Sequence, residues 1–211
     1  MSQPLTSQTR RNYYALEEVP RLQEICQNWE VVRDEYLNLN APVMDINRID
    51  KAHGDVVMEV FKHVAGGGEY GWVQGWGQDG GNPDWLQFGL MSNNPQANAF
   101  LGPHVSTKVP KTFDMLQKIG GIKIAAFVTL KPMTILHCHT HPEIHDEKLL
   151  QLHVALQTAE TRNYAYLNVA GEFRQHVPGE PIIFDGSLDH FALNESDHDR
   201  TILYMEFARD V

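Results

Sequence analysis

The sequence predicts a mainly β protein with N-terminal helices, and its C-terminal half carries most of the evidence. From residue 122 onward, short apolar segments recur, and turn-forming pairs such as Ala170-Gly171, Pro178-Gly179 and Asp185-Gly186 separate several of them. The eight candidate strands are Ile122–Leu130, Thr134–Cys138, Gln151–Gln157, Tyr164–Val169, Glu172–His176, Pro181–Phe184, Phe191–Leu193 and Thr201–Phe207. Eight short strands at this spacing are typical of an antiparallel jelly roll, so we predict a double-stranded β-helix.

The N-terminal part of the chain has a helical pattern. Apolar residues recur every three or four positions from Tyr14 to Leu39, with Pro20 suited to the first turn of a second helical segment. Shorter helices are predicted at Val56–Val64 and Pro110–Ile119, because each is followed by glycines that end a helix.

Residues 65–104 are rich in Gly, Trp, Asn and Gln, which predicts loops with one or two short strands, of which Trp85–Leu90 is the best candidate. The tryptophans of such loops either border a substrate mouth or plug one end of a core.

We predict a single domain over residues 1–211. It would have a helical and loop-rich layer over about residues 1–120 and a cupin-like double-stranded β-helix over about 121–211.

The composition limits the classes of function. The 211 residues carry a formal net charge of −10, and no Lys/Arg cluster offsets it, which argues against a nucleic-acid partner. No segment approaches the roughly 20 apolar residues of a membrane span. The N-terminus lacks the apolar core of a secretion signal, so we expect a cytoplasmic protein without a membrane partner. Cys26 and Cys138 are too few for a disulfide framework, which fits a reducing compartment.

A histidine-rich segment follows the most apolar predicted strand. Four histidines fall within positions 137–145. Because side chains alternate along a strand, His137, His139 and His141 would point to one face and Cys138 to the other, where we expect a small buried side chain. Imidazoles in a row at the end of a buried strand can hold a metal ion, with His137 better suited to a supporting role than to ligation.

A second group of functional residue types lies near the C-terminus. His190 follows a glycine-containing turn, and Arg200 comes ten residues later at the last predicted strand. If the two strands pair, both side chains can face one interior. Two imidazoles and a third group can bind Fe(II) on one face and leave positions open for an oxo-acid and oxygen. The guanidinium would then bind the far carboxylate of that acid through charge-assisted hydrogen bonds.

Several segments resemble the aspartyl/asparaginyl β-hydroxylases, a family of Fe(II)- and 2-oxoglutarate-dependent dioxygenases. They are Asn28–Glu35, Trp85–Phe88, Val109–Leu116, Pro132–Pro142, Leu152–Leu156 and Gly179–His190 with Arg200, and the last is the most specific. The resemblance implies a double-stranded β-helix in which His139 and His190 bind iron and are the catalytic residues. It also implies that Arg200 holds the distal carboxylate of 2-oxoglutarate and that His153 helps at the metal-side carboxylate.

Three positions depart from the family pattern. The family has Gly two residues after its first metal-binding His, where this chain has His141; this residue could be a third imidazole ligand, or could turn outward. The family's Arg two residues before the central His is Gln151 here, which weakens the charge available to the metal-side carboxylate. A Ser that assists the distal carboxylate in some members is Val128. Ser187 fits either a hydrogen bond to the metal or co-substrate, or a turn.

These observations predict an Fe(II)/2-oxoglutarate-dependent hydroxylase that uses O₂ and acts on an unactivated carbon of an amino-acid-like or other small substrate. One alternative is a three-His iron dioxygenase that does not use 2-oxoglutarate; His141 and Gln151 favour it, and Arg200 opposes it. Another is a non-catalytic β-barrel that binds a metal or ligand, and a third is a structural domain whose histidines are incidental.

Overall fold

The computed structural model describes residues 11–46, 51, 53–77 and 80–210. Within these residues the chain forms eleven strands. They are β1 (Tyr13–Tyr14), β2 (Val73–Gly77), β3 (Gly80–Ser92), β4 (Ile122–Leu130), β5 (Thr134–His139), β6 (Leu149–Gln157), β7 (Ala165–Val169), β8 (Glu172–Gln175), β9 (Pro181–Phe184), β10 (His190–Asn194) and β11 (Arg200–Ala208). The larger sheet has the order β1-β9-β6-β11-β4-β3-β2, and the smaller sheet has the order β5-β10-β7-β8.

Strands β4 to β11 form the predicted double-stranded β-helix. Four of them, in the order β9-β6-β11-β4, make the centre of the larger sheet, and the other four make the smaller sheet. Their ladder pairings are antiparallel. Because consecutive strands mostly change sheets, the chain winds around a shared interior, and this arrangement confirms the fold class.

All the helices except the last one cover the outer face of the larger sheet. They are α1 (Gln23–Gln27), α2 (Trp29–Leu37), α3 (His53–Ala65), α4 (Pro95–Lys108), α5 (Pro110–Lys118) and the short α6 (Pro142–Asp146). The predicted helices are confirmed, with the first region divided into short 3₁₀ turns, α1 and α2. Helix α2 packs on β6, while α4 and α5 pack on β3. None of the helices in the described ranges is both long and apolar enough to cross a membrane.

The predicted strand Trp85–Leu90 lies within β3, but the expectation that residues 65–104 are mostly loops is wrong. Strands β2 and β3 extend the larger sheet beyond β4, and α4 occupies most of the rest. Asn94 caps α4, since its side-chain oxygen accepts two backbone N–H groups of the first turn at 3.0 Å, and Pro95 fits that turn. The glycine at 102 looks like a helix breaker in the sequence, but it lets Phe113 of α5 approach closely: a Cβ there would lie 3.2 Å from the ring.

Strand β11 is buried on both faces, and this decides which of its side chains reach the interior. Its alternating residues Leu203, Met205 and Phe207 belong to the core beneath the helices. The residues that alternate with these along the strand point to the space between the sheets; they are Arg200, Ile202, Tyr204 and Glu206. A polar row on a doubly buried strand indicates a functional interior rather than a simple core.

Asn194, at the end of β10, joins the smaller sheet to the larger one. Its side chain is fully buried, and its amide nitrogen lies 3.0, 3.1 and 2.8 Å from the carbonyl oxygens of Leu130, Lys131 and His198, so that its two hydrogens serve three acceptors. These bonds hold the turn between β10 and β11 against the end of β4. They therefore fix the point at which Arg200 begins β11.

Replacement of Asn194 by alanine should lower the free energy of unfolding by about 2–4 kcal/mol, because buried carbonyl oxygens lose their donor. Urea unfolding followed by circular dichroism measures the change. The matched control is Asn93→Ala at an exposed position, for which we expect a change within about 0.5 kcal/mol. Equal effects of the two substitutions would contradict the role given to Asn194.

Candidate active site

A cavity of about 1040 Å³ lies between the two sheets. Val128, His153 and Ile202 line it from the larger sheet, and Leu136 and Leu167 line it from the smaller sheet. Such a volume suits a small ligand together with a second small molecule, and the lining is mostly apolar with a few polar groups at defined places.

The tryptophans of the glycine-rich segment have different surroundings. Trp85 borders the cavity, as expected of a residue at a substrate mouth. Trp72 packs in the core instead, with its ring centroid 6.4 Å from that of Tyr36 and 5.5 Å from that of Phe88. The side chain of Trp76 lies outside the described part of the chain.

Three histidines meet at the edge of the cavity. Strand pairing sets His139 opposite His190, and their ring centroids are 4.3 Å apart. The ring of His141 lies 5.1 Å from the first and 5.4 Å from the second. One possible ligand atom from each residue lies within 4.8 Å of the others. The backbone N–H of His141 donates to the carbonyl oxygen of Gly186 at 3.0 Å, which holds this residue beside the other two rather than turned outward.

The ring orientation of each histidine is set by an acceptor at Nδ1. Nδ1 of His139 lies 2.7 Å from the carbonyl oxygen of His137. Nδ1 of His190 lies 2.8 Å from the carbonyl oxygen of Leu188. Nδ1 of His141 lies 3.1 Å from the Glu143 carboxylate. Because these oxygens only accept, each Nδ1 carries a hydrogen, and in the neutral form of each ring Nε2 keeps a free lone pair. Histidine ligands of metals are commonly fixed in this way, so the three residues could hold a metal ion through Nε2.

Loss of solvent keeps two of these imidazoles neutral, of which His190 is buried while His139 is exposed at its outer side. Loss of solvent lowers the pKa of His139, and the neighbouring His141 adds to the effect. Loss of solvent also lowers the pKa of His190 to about 4. Both rings are therefore in the neutral form that binds metals at physiological pH.

The expected burial of Cys138 is wrong, since its thiol is exposed. Strand β5 is an edge strand of the smaller sheet, and its outward face is open to solvent. His137 borders the cavity but stands outside the three-histidine cluster. Its contribution is the backbone carbonyl that holds the ring of His139.

Arg200 is a buried cation on the wall of the same cavity. Its side chain is 1% exposed, and its Nε and Nη1 atoms have no hydrogen-bond partner among the described residues. Burial lowers its pKa to about 9, so the guanidinium stays charged at neutral pH. A buried charge without a partner costs several kcal/mol, so this wall is suited to an anion.

His153 and His176 form a buried pair next to this cation. His153 lines the cavity, and its Nδ1 lies 3.1 Å from Nε2 of His176. Burial, with the charge of Arg200 contributing, lowers the pKa of both rings well below 6.5, so both are neutral. Nδ1 of His176 is buried without a partner within the described ranges. A buried N–H without an acceptor is rarer than an unused lone pair. The favoured arrangement therefore has His176 Nε2–H donating to His153, which leaves His153 Nε2–H as a donor.

Gln151, in place of the family's Arg, is part of a polar chain. Its amide donates to the Tyr204 hydroxyl at 2.8 Å, and that hydroxyl donates to the Glu206 carboxylate at 2.5 Å. All three residues line the cavity. Tyr204, Glu206 and His176 were missed by the sequence analysis. The signal for the first two was the alternation along β11 from Arg200, which places them on the same face.

Ser187 has the surroundings of a turn residue. Its hydroxyl donates to the Asp185 carboxylate at 2.5 Å, and its backbone N–H donates to the same oxygen at 3.0 Å. Ser187 is not among the residues that border the described cavity. The turn role is the one this geometry favours, with Asp185 holding the loop that leads into His190.

With this geometry in place, the comparison with known proteins identifies the class. The family described as aspartyl/asparaginyl beta-hydroxylase matches residues 26–210, and the chain belongs to this family. The ornithine lipid ester-linked acyl 2-hydroxylase of Rhizobium tropici is similar, with 29% identity over 100 residues. That match covers 47% of this chain and 34% of the relative, so the chain matches about a third of the relative's length.

Solved structures resemble this chain only loosely. The cupin domain of Schizosaccharomyces pombe Cnp3 has a TM-score of 0.39 at 8% identity, covering 60% of this chain and 66% of that one. An oxidoreductase of the 2OG-Fe(II) oxygenase family from Burkholderia pseudomallei has a TM-score of 0.39 at 14% identity, covering 59% and 66%. At these scores the strand order, rather than the superposition, defines the fold.

The participation of His141 in metal binding is tested by His141→Ala. Loss of one imidazole should weaken Co(II) or Fe(II) binding by at least about tenfold, since even the loss of a group that only supports a ligand costs about 10–100-fold. Anaerobic calorimetry measures the affinity. His137→Ala is the matched control, because its supporting group is a backbone carbonyl that the substitution keeps. Unchanged affinity in both variants would remove His141 from the site.

Proposed function

We propose that this protein is an Fe(II)- and 2-oxoglutarate-dependent hydroxylase of a small molecule. Membership of a hydroxylase family supports the reaction class. The observation that carries the co-substrate assignment is Arg200, a buried guanidinium without a countercharge among the described residues, in a cavity that also borders the three-histidine cluster. A dicarboxylate can supply that countercharge with one carboxylate and leave the other for the metal.

The donor set fits ferrous iron. His139, His141 and His190 would each offer one Nε2 atom on one side, and such a set leaves positions open for co-substrate and oxygen. When bound there, iron supplies the activation of O₂ that hydroxylation of an unactivated carbon requires. His139 and His190 are the catalytic ligands of this proposal.

Arg200 positions the co-substrate. Its Nε–H and Nη1–H have no partner among the described residues, and the guanidinium would donate to the distal carboxylate from the cavity wall. The surroundings are apolar, because Val128 of the neighbouring strand β4 and Ile202 of β11 itself border the cavity. Low local polarity strengthens a charge-assisted pair, so the carboxylate would be held in one orientation.

His153 would serve the metal-side carboxylate as a neutral donor. With its Nδ1 engaged by His176, its Nε2–H is the hydrogen available to an acceptor in the cavity. Gln151 adds no positive charge where the family has Arg, so more of the orientation of this carboxylate would depend on His153. His176 is in this account a positioning residue, because it acts only through the tautomer of its neighbour.

The apolar lining would exclude water from the reacting carbon. Trp85, Leu136 and Leu167 border the cavity together with residues of β11. A substrate placed among them would bring its carbon to the histidine cluster, and the gain in rate comes from position and from a dry site.

Arg200→Gln tests the co-substrate assignment. The variant should bind 2-oxoglutarate at least about 100-fold more weakly, because it removes the charge and the paired donors. Calorimetry on the anaerobic metal-loaded protein measures this, and succinate release measures turnover. The control is Arg162→Gln at an exposed position, which should change neither quantity. Equal binding in the two variants would refute the assignment.

The positioning role of His176 is tested by a pair of variants. His176→Leu removes the donor to His153 and should weaken 2-oxoglutarate binding about tenfold. His176→Gln keeps an N–H donor and should restore most of that binding. A purely structural role predicts that affinity follows unfolding free energy in both variants, and this pattern would contradict the proposal.

A second candidate is an iron dioxygenase that does not use 2-oxoglutarate. The three-imidazole cluster and Gln151 favour it, since neither requires an oxo-acid. The two candidates differ in a simple assay. Oxygen consumption by the iron-loaded protein with its substrate, independent of added 2-oxoglutarate and without release of succinate, would favour the second candidate.

A further inference from the structure

The cavity contains a buried acid that the proposed reaction does not use. Glu206 is 5% exposed and borders the cavity. It lies on the same face of β11 as Arg200, six residues further along, which corresponds to about 20 Å of strand. The two charged side chains therefore belong to different ends of the interior.

Glu206 lies on the histidine side of the cavity. Its partner Gln151 lies against the turn that leads into His190, since a Cβ built at Gly186 would be 2.1 Å from Gln151 Oε1. The carbonyl oxygen of the same glycine accepts the backbone N–H of His141. A molecule bound beside the histidine cluster would therefore be close to Gln151 and Glu206.

The hydrogen bonds at this end leave acceptors unused. Burial raises the pKa of Tyr204, and the charge of Glu206 adds to this, so the hydroxyl keeps its hydrogen and donates it to Glu206. The hydroxyl oxygen then accepts the Gln151 amide, which fixes the orientation of that amide. As a result Gln151 Oε1 has no hydrogen-bond partner within the described residues. The Gln151 side chain is buried, with only 1% of its surface exposed.

No cation balances Glu206 in the described part of the chain. The other basic side chain near this end is Lys123, which borders the cavity but forms an ion pair with Glu147 at 2.7 Å. The Glu206 carboxylate has hydrogen bonds only from neutral donors. A buried carboxylate beside an unused carbonyl oxygen is complementary to a group that carries several N–H donors and a positive charge.

We propose that Glu206 and Gln151 Oε1 bind a cationic nitrogen group, an ammonium or a guanidinium, of the hydroxylated substrate. The substrate class is thus a small molecule with a positively charged end, and a carboxylate at this position is rejected by the like charge of Glu206. This inference rests on the proposed function only in taking the histidine side of the cavity as the place where the substrate binds.

Three probes of equal length test the inference without knowledge of the substrate: hexylammonium, 1-hexanol and hexanoate. Calorimetry measures their binding to the full chain loaded anaerobically with Fe(II) and 2-oxoglutarate. Hexylammonium should bind about tenfold or more tightly than 1-hexanol, and hexanoate should bind most weakly. Equal binding of hexylammonium and 1-hexanol would overturn the inference, and this comparison needs no variant.

Glu206→Gln removes the charge at nearly constant volume. It should weaken hexylammonium binding about 10- to 100-fold and leave 1-hexanol unchanged. Glu195→Gln is the control, because it makes the same change of charge at an exposed position. If Glu206→Gln and the control bind hexylammonium equally, the cationic site is refuted.

The 2-oxoglutarate affinity of the same variants separates this inference from the proposed function. Intact 2-oxoglutarate binding with no preference for the ammonium refutes only the cationic site. If the protein prefers hexylammonium, if this preference depends on Glu206, and if 2-oxoglutarate does not bind, only the co-substrate assignment is refuted.

Discussion

The interior of this protein is organised by the guanidinium of Arg200, which is buried without a countercharge from the residues that the structure describes. Burial of an unpaired cation costs several kcal/mol, and the fold tolerates it only because the surrounding structure is well fixed. Helices cover the outer face of β11, and Asn194 ties the turn before Arg200 to the end of β4. The bound anion that our account requires would remove much of the cost, so stability and ligand binding are linked at this residue.

The histidine side of the cavity differs in polarity from the end that holds Arg200. The histidine cluster is neutral at His139 and His190 and presents lone pairs, because each Nδ1 is already engaged. Glu206 and Gln151 add acceptors beside it. The interior therefore has a cation at one end and hydrogen-bond acceptors near the other. Two ligands of opposite polarity would then occupy it in one order, with a dicarboxylate toward Arg200 and a positively charged molecule toward Glu206.

Much of this fold could be predicted from the sequence because its strands are short apolar runs separated by turn residues. The resemblance to the hydroxylases supplied His139 and His190, and the structure brings both to one place. The helical part of the segment 65–104 was missed because the composition of the segment indicates loops, whereas the packing of Phe113 against Gly102 depends on tertiary structure. The exposure of Cys138 depends on whether anything covers the smaller sheet, which periodicity does not report. The partners of Glu206 and His176 depend on strand register, and register is set by tertiary pairing.

The most direct measurement is a crystal structure grown without oxygen in the presence of Mn(II), as a substitute for Fe(II), and 2-oxoglutarate. Our account predicts one metal ion bonded to Nε2 of His139, His141 and His190, with the distal carboxylate against the guanidinium of Arg200. A metal ion elsewhere in the chain, or a 2-oxoglutarate molecule whose carboxylates do not contact Arg200, would contradict it.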